Sequence, residues 1–368
     1  MIKKLKAAIF TGANKPFEIK EFDITPPKKG MARLDLEASG VCGTDVHFHT
    51  GKLLLEPPKV IGHEYVGRVV DISEEDSKKF GINAGDVAIV DIACPCGECK
   101  LCKSGDDANC VNMAVTNGGN PYEVPYFHGG FAETTYAPIE NLIKLPENVD
   151  PLAACVFACP GPTAIHAFNL AKKAGVDLSD VSLAVVQGTG PVGCMAIAYL
   201  KALNVKKIFA LVADITNDNL NLVKKLGADD IIDVKNKSDA EIGELIKNAS
   251  DGLGADLVFE ASGNPKAIPT GFEILRNRGV YLVPGQYSNS GEISIMPQLI
   301  TFKALHIIGS SQYNICDVKE YVDFISKDFK LQEIIKSLAS CYTVSDINVA
   351  FDDAKARKNI KTVLVKEG

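Results

Sequence analysis

The 368-residue sequence contains no long hydrophobic run, which argues against a membrane-spanning protein. A helix that crosses a bilayer needs roughly 18 to 20 consecutive apolar residues, and no stretch of this chain approaches that length. The N-terminal segment begins with basic residues, but Thr11 and Gly12 interrupt its apolar run before it reaches the length of a secretion signal. We therefore expect a cytoplasmic protein without a membrane partner.

Clusters of Lys and Arg interleaved with aromatic residues are also missing. The formal net charge of −7 gives an acidic surface that repels phosphate backbones, so we expect no nucleic-acid partner. A hydrophobic content of 46% with 23% charged residues is typical of a globular enzyme acting on a small molecule. Since one hydrophobic core stops growing at about 250 to 300 residues, two domains are expected.

Two regions differ in their hydrophobic pattern. Short apolar runs between Gly, Pro and Asp turns predict a β-rich domain over residues 1–160. Fully apolar runs alternate with helical patterns over residues 161–311, which predicts an α/β domain with a doubly wound, six-stranded parallel sheet. Residues 312–368 are too few for a core of their own and are expected to return to the first domain. The predicted strands are 182–187, 207–214, 230–234, 255–260, 280–283 and 305–308, and the predicted helices are 193–203, 217–226, 240–248 and 265–276.

A glycine-rich turn follows the first predicted strand of the α/β region and leads into a predicted helix. Spaced glycines in this context let the backbone approach a pyrophosphate, which the free N–H groups of the helix N-terminus then bind. The sequence therefore predicts a dinucleotide site. The turn consists of Gly188, Thr189, Gly190, Pro191, Val192 and Gly193.

Asp214 ends the next predicted strand, about twenty residues after the glycine turn, where dinucleotide-binding domains place an acidic residue. A carboxylate there accepts hydrogen bonds from the ribose hydroxyls and repels a 2′-phosphate. This position favours NAD over NADP. The alternative is a glycine-rich turn that binds no ligand, with an incidental aspartate.

Eleven cysteines are present, and four of them follow a regular spacing in one short segment: Cys96, Cys99, Cys102 and Cys110. Four thiolates so close together can complete a tetrahedral zinc shell, which is typical of a structural site because no position stays open for substrate. An iron–sulfur site or a redox loop remains an alternative. Cys94 lies outside this spacing and is interpreted as a spare thiol.

Three separated motifs complete the pattern: residues 40–47 (GVCGTDVH), 62–64 (GHE) and 159–163 (CPGPT). In this order, and together with the four-cysteine segment and the glycine turn, they resemble the zinc-containing alcohol dehydrogenases of the medium-chain dehydrogenase/reductase superfamily over essentially the whole chain. The resemblance implies a GroES-like β-rich catalytic domain, a Rossmann domain and a catalytic zinc in the cleft between them, held by Cys42, His63 and Cys159.

The same resemblance implies roles for neighbouring residues. Thr44 accepts the substrate proton and His47 passes it toward solvent. Glu64 lies behind the zinc, where it can enter the coordination shell during ligand exchange, and Thr163 flanks the nicotinamide ring. Asp45 is expected to orient His63.

Each assignment has a simpler alternative, because a buried cysteine is commonly a small apolar residue. Cys155 competes with Cys159 as the third ligand, and we prefer Cys159 because the residues after it match the family motif. A cysteine at this position, with the four-cysteine segment, departs from the polyol-dehydrogenase branch, so sugar alcohols are a less favoured substrate.

The sequence thus predicts reversible hydride transfer between a primary or secondary alcohol, possibly a cyclic one, and NAD, with two zinc ions per chain. The alternatives are a zinc-independent NADPH quinone or enoyl reductase and a non-catalytic NADH-binding sensor. Residues 51–58 and 112–131 are expected to line the substrate site. By resemblance we expect a homodimer or homotetramer formed through the sheet edge near residues 305–310.

Overall fold

The computed structural model describes residues 4–213 and 217–367, with side chains for residues 4–213 and 220–367. Asp214 lies outside the described residues. The chain divides into two compact units: unit 1 comprises Met1–Cys159 together with Tyr313–Gly368, and unit 2 comprises Pro160–Gln312. Within the described ranges, no helix is both long and apolar enough to cross a membrane.

Both units contain strands and helices, which alternate mainly in unit 2, and short 3₁₀ turns connect several of them. The strands are β1 Lys4–Ile9, β2 Glu18–Asp23, β3 Met31–Gly40, β4 Glu64–Asp71, β5 Val87–Val90, β6 Ala93–Cys94, β7 Ala114–Val115, β8 Thr134–Pro138, β9 Leu142–Lys144, β10 Leu183–Gln187, β11 Lys207–Val212, β12 Asp230–Asp233, β13 Ala255–Glu260, β14 Leu275–Val283, β15 His306–Gly309, β16 Ala339–Tyr342 and β17 Lys361–Val365. The helices are α1 Gly43–Thr50, α2 Glu74–Phe80, α3 Lys100–Lys103, α4 Pro151–Val156, α5 Pro160–Lys173, α6 Pro191–Ala202, α7 Asn217–Leu226, α8 Asp239–Ala249, α9 Ala267–Ile274, α10 Gln298–Phe302, α11 Ile315–Ser326, α12 Phe329–Lys336 and α13 Ile347–Lys355.

Unit 1 is built on a seven-stranded sheet in the order β16-β17-β3-β4-β5-β9, with β8 also paired to β3. Strand β3 is its central element. Its last residue, Gly40, pairs with Glu64 of β4 on one side and with Val363 of β17 on the other. The chain thus returns after unit 2 to place β17 beside the end of β3, and three distant parts of the sequence meet there.

Unit 2 contains one six-stranded sheet of parallel strands in the order β12-β11-β10-β13-β14-β15. This is the strand order of a doubly wound dinucleotide-binding fold, and it confirms the predicted fold class. The central strands β10 and β13 are buried almost throughout, as strands covered on both faces must be.

The largest difference from the predicted elements lies between α9 and β14. The sequence predicts a helix to residue 276 and a strand from 280, whereas α9 ends at Ile274 and β14 begins at Leu275. Leu275 is 2% exposed and pairs with Ala255 of β13. Burial against the sheet therefore takes this residue out of the helix, although its apolar side chain fits either pattern.

Candidate active site and metal centres

Four metal-ligating side chains converge at one end of β3 and β4 in unit 1. They are Cys42, His63, Glu64 and Cys159, and their ligand atoms all lie within 4.8 Å of one another. Cys42 is the N-cap of α1, which follows β3 directly, and His63 precedes β4. Cys159 comes shortly after α4. The candidate ligands from the three dispersed motifs are therefore brought together within a single unit.

The donor set fits a zinc ion. The Sγ atoms of Cys42 and Cys159 lie 4.0 Å apart, close to the roughly 3.8 Å expected of two thiolates on a tetrahedral zinc with Zn–S bonds of about 2.3 Å. The contact with Cys159 and the charge of His63 hold the pKa of Cys42 well below its usual value, despite burial. A thiolate is the form that binds a metal.

Asp45 fixes both Cys42 and His63. Its Oδ2 accepts a hydrogen bond from the backbone N–H of Cys42 at 2.9 Å, and its Oδ1 lies 3.4 Å from Nδ1 of His63. Burial alone would lower the pKa of His63, but the charges of Asp45 and Cys42 outweigh it and raise that pKa well above its usual value. Because Nδ1 faces the carboxylate, Nε2 is the nitrogen left for a metal.

Glu64 forms an ion pair with Lys361 of β17, and the exposed fractions of the two side chains are 0% and 2%. A Cβ atom at Gly40 would overlap the Glu64 carboxylate, so the glycine gives the pair its space. Burial raises the pKa of Glu64 to about 7, and the charge of Lys361 opposes that rise. Our sequence reasoning missed Lys361, since the only signal is one lysine before an apolar run.

Thr44 and His47 lie on the first turns of α1, three residues apart and thus next to each other on one face of the helix. The Thr44 hydroxyl lies 3.7 Å from the Cys42 sulfur. Burial and the nearby Lys52 lower the pKa of His47, which leaves the imidazole neutral near pH 7. A neutral imidazole can accept a proton.

Cys155 lies one helical turn before Cys159, but its sulfur is outside the group. Its thiol is fully buried and donates to the backbone carbonyl of Glu64 at 3.3 Å. Burial raises the pKa of Cys155 far above its usual value, so it stays a neutral thiol. Cys159, and not Cys155, is therefore the cysteine whose sulfur lies in the group of candidate ligand atoms.

The four spaced cysteines form a second group, with ligand atoms within 4.8 Å of one another: Cys96, Cys99, Cys102 and Cys110. Backbone N–H groups point at the sulfurs, as in the contact from the Cys96 nitrogen to the Cys110 sulfur at 3.3 Å. Such contacts from Cys102 and Val111 lower the pKa of Cys99 to about 6. Cys94 is apart from the group, and its sulfur contacts Asn141.

The glycine turn of unit 2 joins β10 to α6. Gly188 has a φ of +91°, and a Cβ there would lie 2.7 Å from the Ser262 Cα, so the turn packs directly against the segment after β13. Gly190 has open space around it and is the N-cap of α6, with Pro191 in the first turn. A Cβ at Gly193 would overlap the Gly188 carbonyl. Each glycine thus meets a different requirement.

Other residues predicted for cofactor binding are placed as follows. Thr189 and Val192 belong to the same turn, and the Thr189 carbonyl accepts a contact from the Cys194 thiol at 3.3 Å. Thr163 lies in the first turn of α5 and is half-buried.

Glu260, which the sequence reasoning did not single out, ends β13 next to this turn and is completely buried. Its Oε1 accepts hydrogen bonds from the backbone N–H groups of Ser262 and Gly263 at 2.8 and 3.0 Å. The carboxylate therefore fixes the segment against which Gly188 packs. A lone glutamate at the end of an apolar strand gives little signal in the sequence.

Two family profiles match the chain. The first is described as an alcohol dehydrogenase GroES-like domain and matches residues 28–147. The second is described as a zinc-binding dehydrogenase and matches residues 191–327. They cover most of unit 1 before the return segment and most of unit 2.

Individual relatives extend over nearly the whole chain. D-xylulose reductase A of Aspergillus oryzae is 32% identical over 337 residues, covering 90% of this chain and 88% of that protein. Sorbitol dehydrogenase of Halalkalibacterium halodurans is 29% identical over 351 residues, covering 95% of each. The crystal structure of an alcohol dehydrogenase from Thermotoga maritima superposes with a TM-score of 0.89 at 25% identity, over 99% of this chain and 100% of that one.

Proposed function

Because this chain belongs to the zinc-containing alcohol dehydrogenases of the medium-chain dehydrogenase/reductase superfamily, we propose that Cys42, His63 and Cys159 hold its catalytic zinc. The chain is an oxidoreductase that acts on CH–OH groups with a nicotinamide dinucleotide. The observation that carries the proposed site is the convergence of two thiols and one imidazole beside a threonine hydroxyl.

Held by Cys42, His63 and Cys159, a zinc ion would supply a Lewis acid that lowers the pKa of the substrate hydroxyl. The residues around it have separate tasks. Thr44 accepts the proton of the substrate hydroxyl, and neutral His47 carries that proton onward. Asp45 keeps the His63 ring in the tautomer that binds a metal through Nε2.

We assign a second, structural zinc to the four-cysteine group. All four ligands come from one short segment and surround a common point, which leaves no position for a substrate. The expected metal content is therefore two zinc ions per chain, which a metal analysis of the purified protein measures directly. A zinc-independent reductase or a binding-only sensor would lack the zinc at the Cys42 site.

NAD is the proposed dinucleotide, and the argument rests on the sequence position of Asp214. A carboxylate at the end of the second strand accepts hydrogen bonds from the ribose and repels a 2′-phosphate. Asp214→Gly should therefore reduce the preference for NAD, measured as the ratio of kcat/KM with NAD to that with NADP. An unchanged ratio would show that Asp214 does not contact the ribose.

The names of two relatives favour sugar alcohols as substrates. By name, D-xylulose reductase A acts on a ketose and sorbitol dehydrogenase acts on a polyol. The third cysteine ligand and the four-cysteine group, in contrast, led us to expect that polyols are less favoured substrates. We propose a secondary alcohol, with polyols as the first class to test. Rates of NADH formation, followed by absorbance, over a panel of polyols and of aliphatic and cyclic alcohols distinguish these classes.

An oligomer formed through β15 is also proposed. This strand is an edge of the six-stranded sheet, and Ile307 on it is 41% exposed. Phe302, on the helix before it, is 78% exposed. Open backbone groups with exposed apolar side chains favour pairing with a second copy. Light scattering of the purified protein should give the mass of a dimer or tetramer, and a monomer would contradict the proposal.

A cysteine pair tests the catalytic assignment. Cys42→Ala should remove one zinc per chain and lower kcat/KM by roughly 100- to 1,000-fold, the range of losses caused by removing one group that stabilises the transition state. Cys341→Ala, at an exposed cysteine of β16, is the matched control and should keep both zinc ions and full activity. Full turnover in folded Cys42→Ala would exclude Cys42 as a ligand.

A further inference from the structure

The ion pair of Glu64 and Lys361 lies inside the proposed catalytic group and has no task in the proton transfer described above. Both side chains are buried almost completely. For stability alone this is a poor arrangement, since removing two charges from water offsets most of their attraction. Because the pair lies beside the proposed metal site, its function is to be sought in metal binding rather than in stability.

Glu64 has two possible partners. One of its oxygens is within 4.8 Å of every other ligand atom of the group, so the carboxylate is close enough to act as a fourth ligand. Its other partner is the ammonium group of Lys361, on the far strand β17. A carboxylate that binds a metal gives up charge to that metal, so the two partners compete for the same group.

The backbone of Glu64 is held in place, whereas its carboxylate can contact either Lys361 or the metal position. Its carbonyl accepts from the buried Cys155 thiol at 3.3 Å, and its Cα pairs with Gly40 across β3 and β4. The absence of a side chain at Gly40 leaves the space in which the carboxylate meets Lys361. Only the end of the Glu64 side chain therefore needs to move between its two partners.

We propose that Lys361 is a positioning residue that holds the Glu64 carboxylate back from the catalytic metal and so keeps the fourth coordination position open. The inference rests on the proposed zinc site at Cys42, His63 and Cys159. Without the positive charge, the carboxylate fills the open position and blocks substrate. With it, the metal stays accessible and Glu64 remains a reserve ligand.

The test replaces the catalytic zinc with Co²⁺, keeps zinc in the four-cysteine group, and uses imidazole as the probe of the open position. A carboxylate in the open position takes the place of solvent, so Co²⁺ stays four-coordinate but its visible d–d bands shift because the ligand has changed. In Lys361→Met we expect this shift, and imidazole should change the bands only at higher concentrations than in the unmodified protein. If Glu64 occupies the position in nine-tenths of the molecules, the imidazole Kd rises about tenfold.

Two further variants separate positioning from folding. Lys361→Arg keeps the charge and should retain the spectrum and the imidazole Kd of the unmodified protein. The double variant Lys361→Met with Glu64→Gln removes the competing carboxylate and should return both readouts to the unmodified values. If Lys361→Met does not give folded protein, Lys361→Gln, which lacks the charge but can still donate to the carboxylate, is measured in its place.

An unmodified spectrum and imidazole Kd in the charge-free variant would overturn the proposal. A change that persists in the double variant would overturn it as well, because Glu64 could not then be its cause. Failure of the catalytic-site assignment gives a different result: the unmodified protein itself would show no Co²⁺ absorption that responds to imidazole.

Discussion

Asp45 and His63 face each other inside unit 1, with Oδ1 of the carboxylate 3.4 Å from Nδ1 of the imidazole and both side chains at least nine-tenths buried. The other carboxylate oxygen accepts from the backbone of Cys42. One aspartate therefore orients two ligands of the proposed catalytic metal, one through its ring and the other through its main chain. Removing its charge should affect the metal before it affects the fold.

Asp45→Asn should lower the affinity for the catalytic zinc about 10- to 100-fold. The amide keeps the size of the carboxylate but cannot stabilise a protonated Nδ1. Competition with a chromogenic chelator measures the affinity. The control is Asp86→Asn, which should leave zinc binding unchanged. Asp86 immediately precedes β5 and pairs with Lys144 at the end of β9. Equal affinities in the two variants would remove Asp45 from the metal site.

Cys99→Ala should lower the melting temperature and remove one zinc per chain, because an incomplete four-cysteine shell no longer ties its segment together. The catalytic zinc should stay. The neighbouring Cys94→Ala is the matched control, since that thiol is outside the group and contacts Asn141 instead. Retention of both zinc ions, or loss of turnover in folded Cys99→Ala protein that keeps its catalytic zinc, would contradict the structural assignment.

Two alanine substitutions in the glycine turn should act differently. At Gly188 a Cβ meets the Ser262 backbone and φ is +91°, so Gly188→Ala should destabilise unit 2 even without cofactor. At Gly190 the Cβ enters open space, so the free protein should keep its melting temperature while dinucleotide affinity falls. Calorimetry with NADH measures the affinity. Unchanged NADH binding in Gly190→Ala would place the pyrophosphate elsewhere.

Asp91 should make the stability depend on pH. Burial, despite a hydrogen bond from the Ala93 backbone, raises its pKa from 3.8 to about 7. Between these values the folded state binds a proton that the unfolded state has lost, so stability falls as the pH rises from about 4 to about 7. Asp91→Asn cannot lose this proton and should be more stable than the unmodified protein above pH 7, on the order of 2 kcal/mol.

Urea denaturation at pH 5.5 and pH 8.5 tests this dependence. The advantage of Asp91→Asn should be about half as large at pH 5.5, midway between the two pKa values, as at pH 8.5. Asp86→Asn should show the opposite sign, because Lys144 lowers the pKa of that carboxyl and the charged form stabilises the fold. An equal effect of Asp91→Asn at both pH values would mean that Asp91 does not titrate in this range.

The fold of unit 2 could be predicted because each buried parallel strand is an apolar run in the sequence, as in β10 and β13. Boundaries were harder to predict where an apolar residue suits either state. Leu275 continues the helical pattern of α9, yet its pairing with Ala255 makes it the first residue of β14. Whether such a residue joins the helix or the strand is decided by the residues that pack against it in space, and a local sequence pattern does not contain that information.

The same distinction divides the site residues. Spacing alone groups Cys96 with Cys110, because both belong to one short segment. Cys42, His63 and Cys159 are far apart in the chain, so only the resemblance to a known family linked them. Lys361 was missed because its role depends on the pairing of β17 with β3, and the local sequence does not predict that pairing.

Strand β17 is synthesised only after all of unit 2, while its neighbours β3 and β4 are synthesised before it. On the ribosome, the side of β3 that residues 38–40 present to β17 therefore remains unpaired until the chain has passed residue 365, although β8 already covers residues 31–35. Unit 2 is continuous and can fold in the meantime. An exposed strand edge favours pairing with other chains, so during translation the end of β3 is the part of the first unit most open to such pairing.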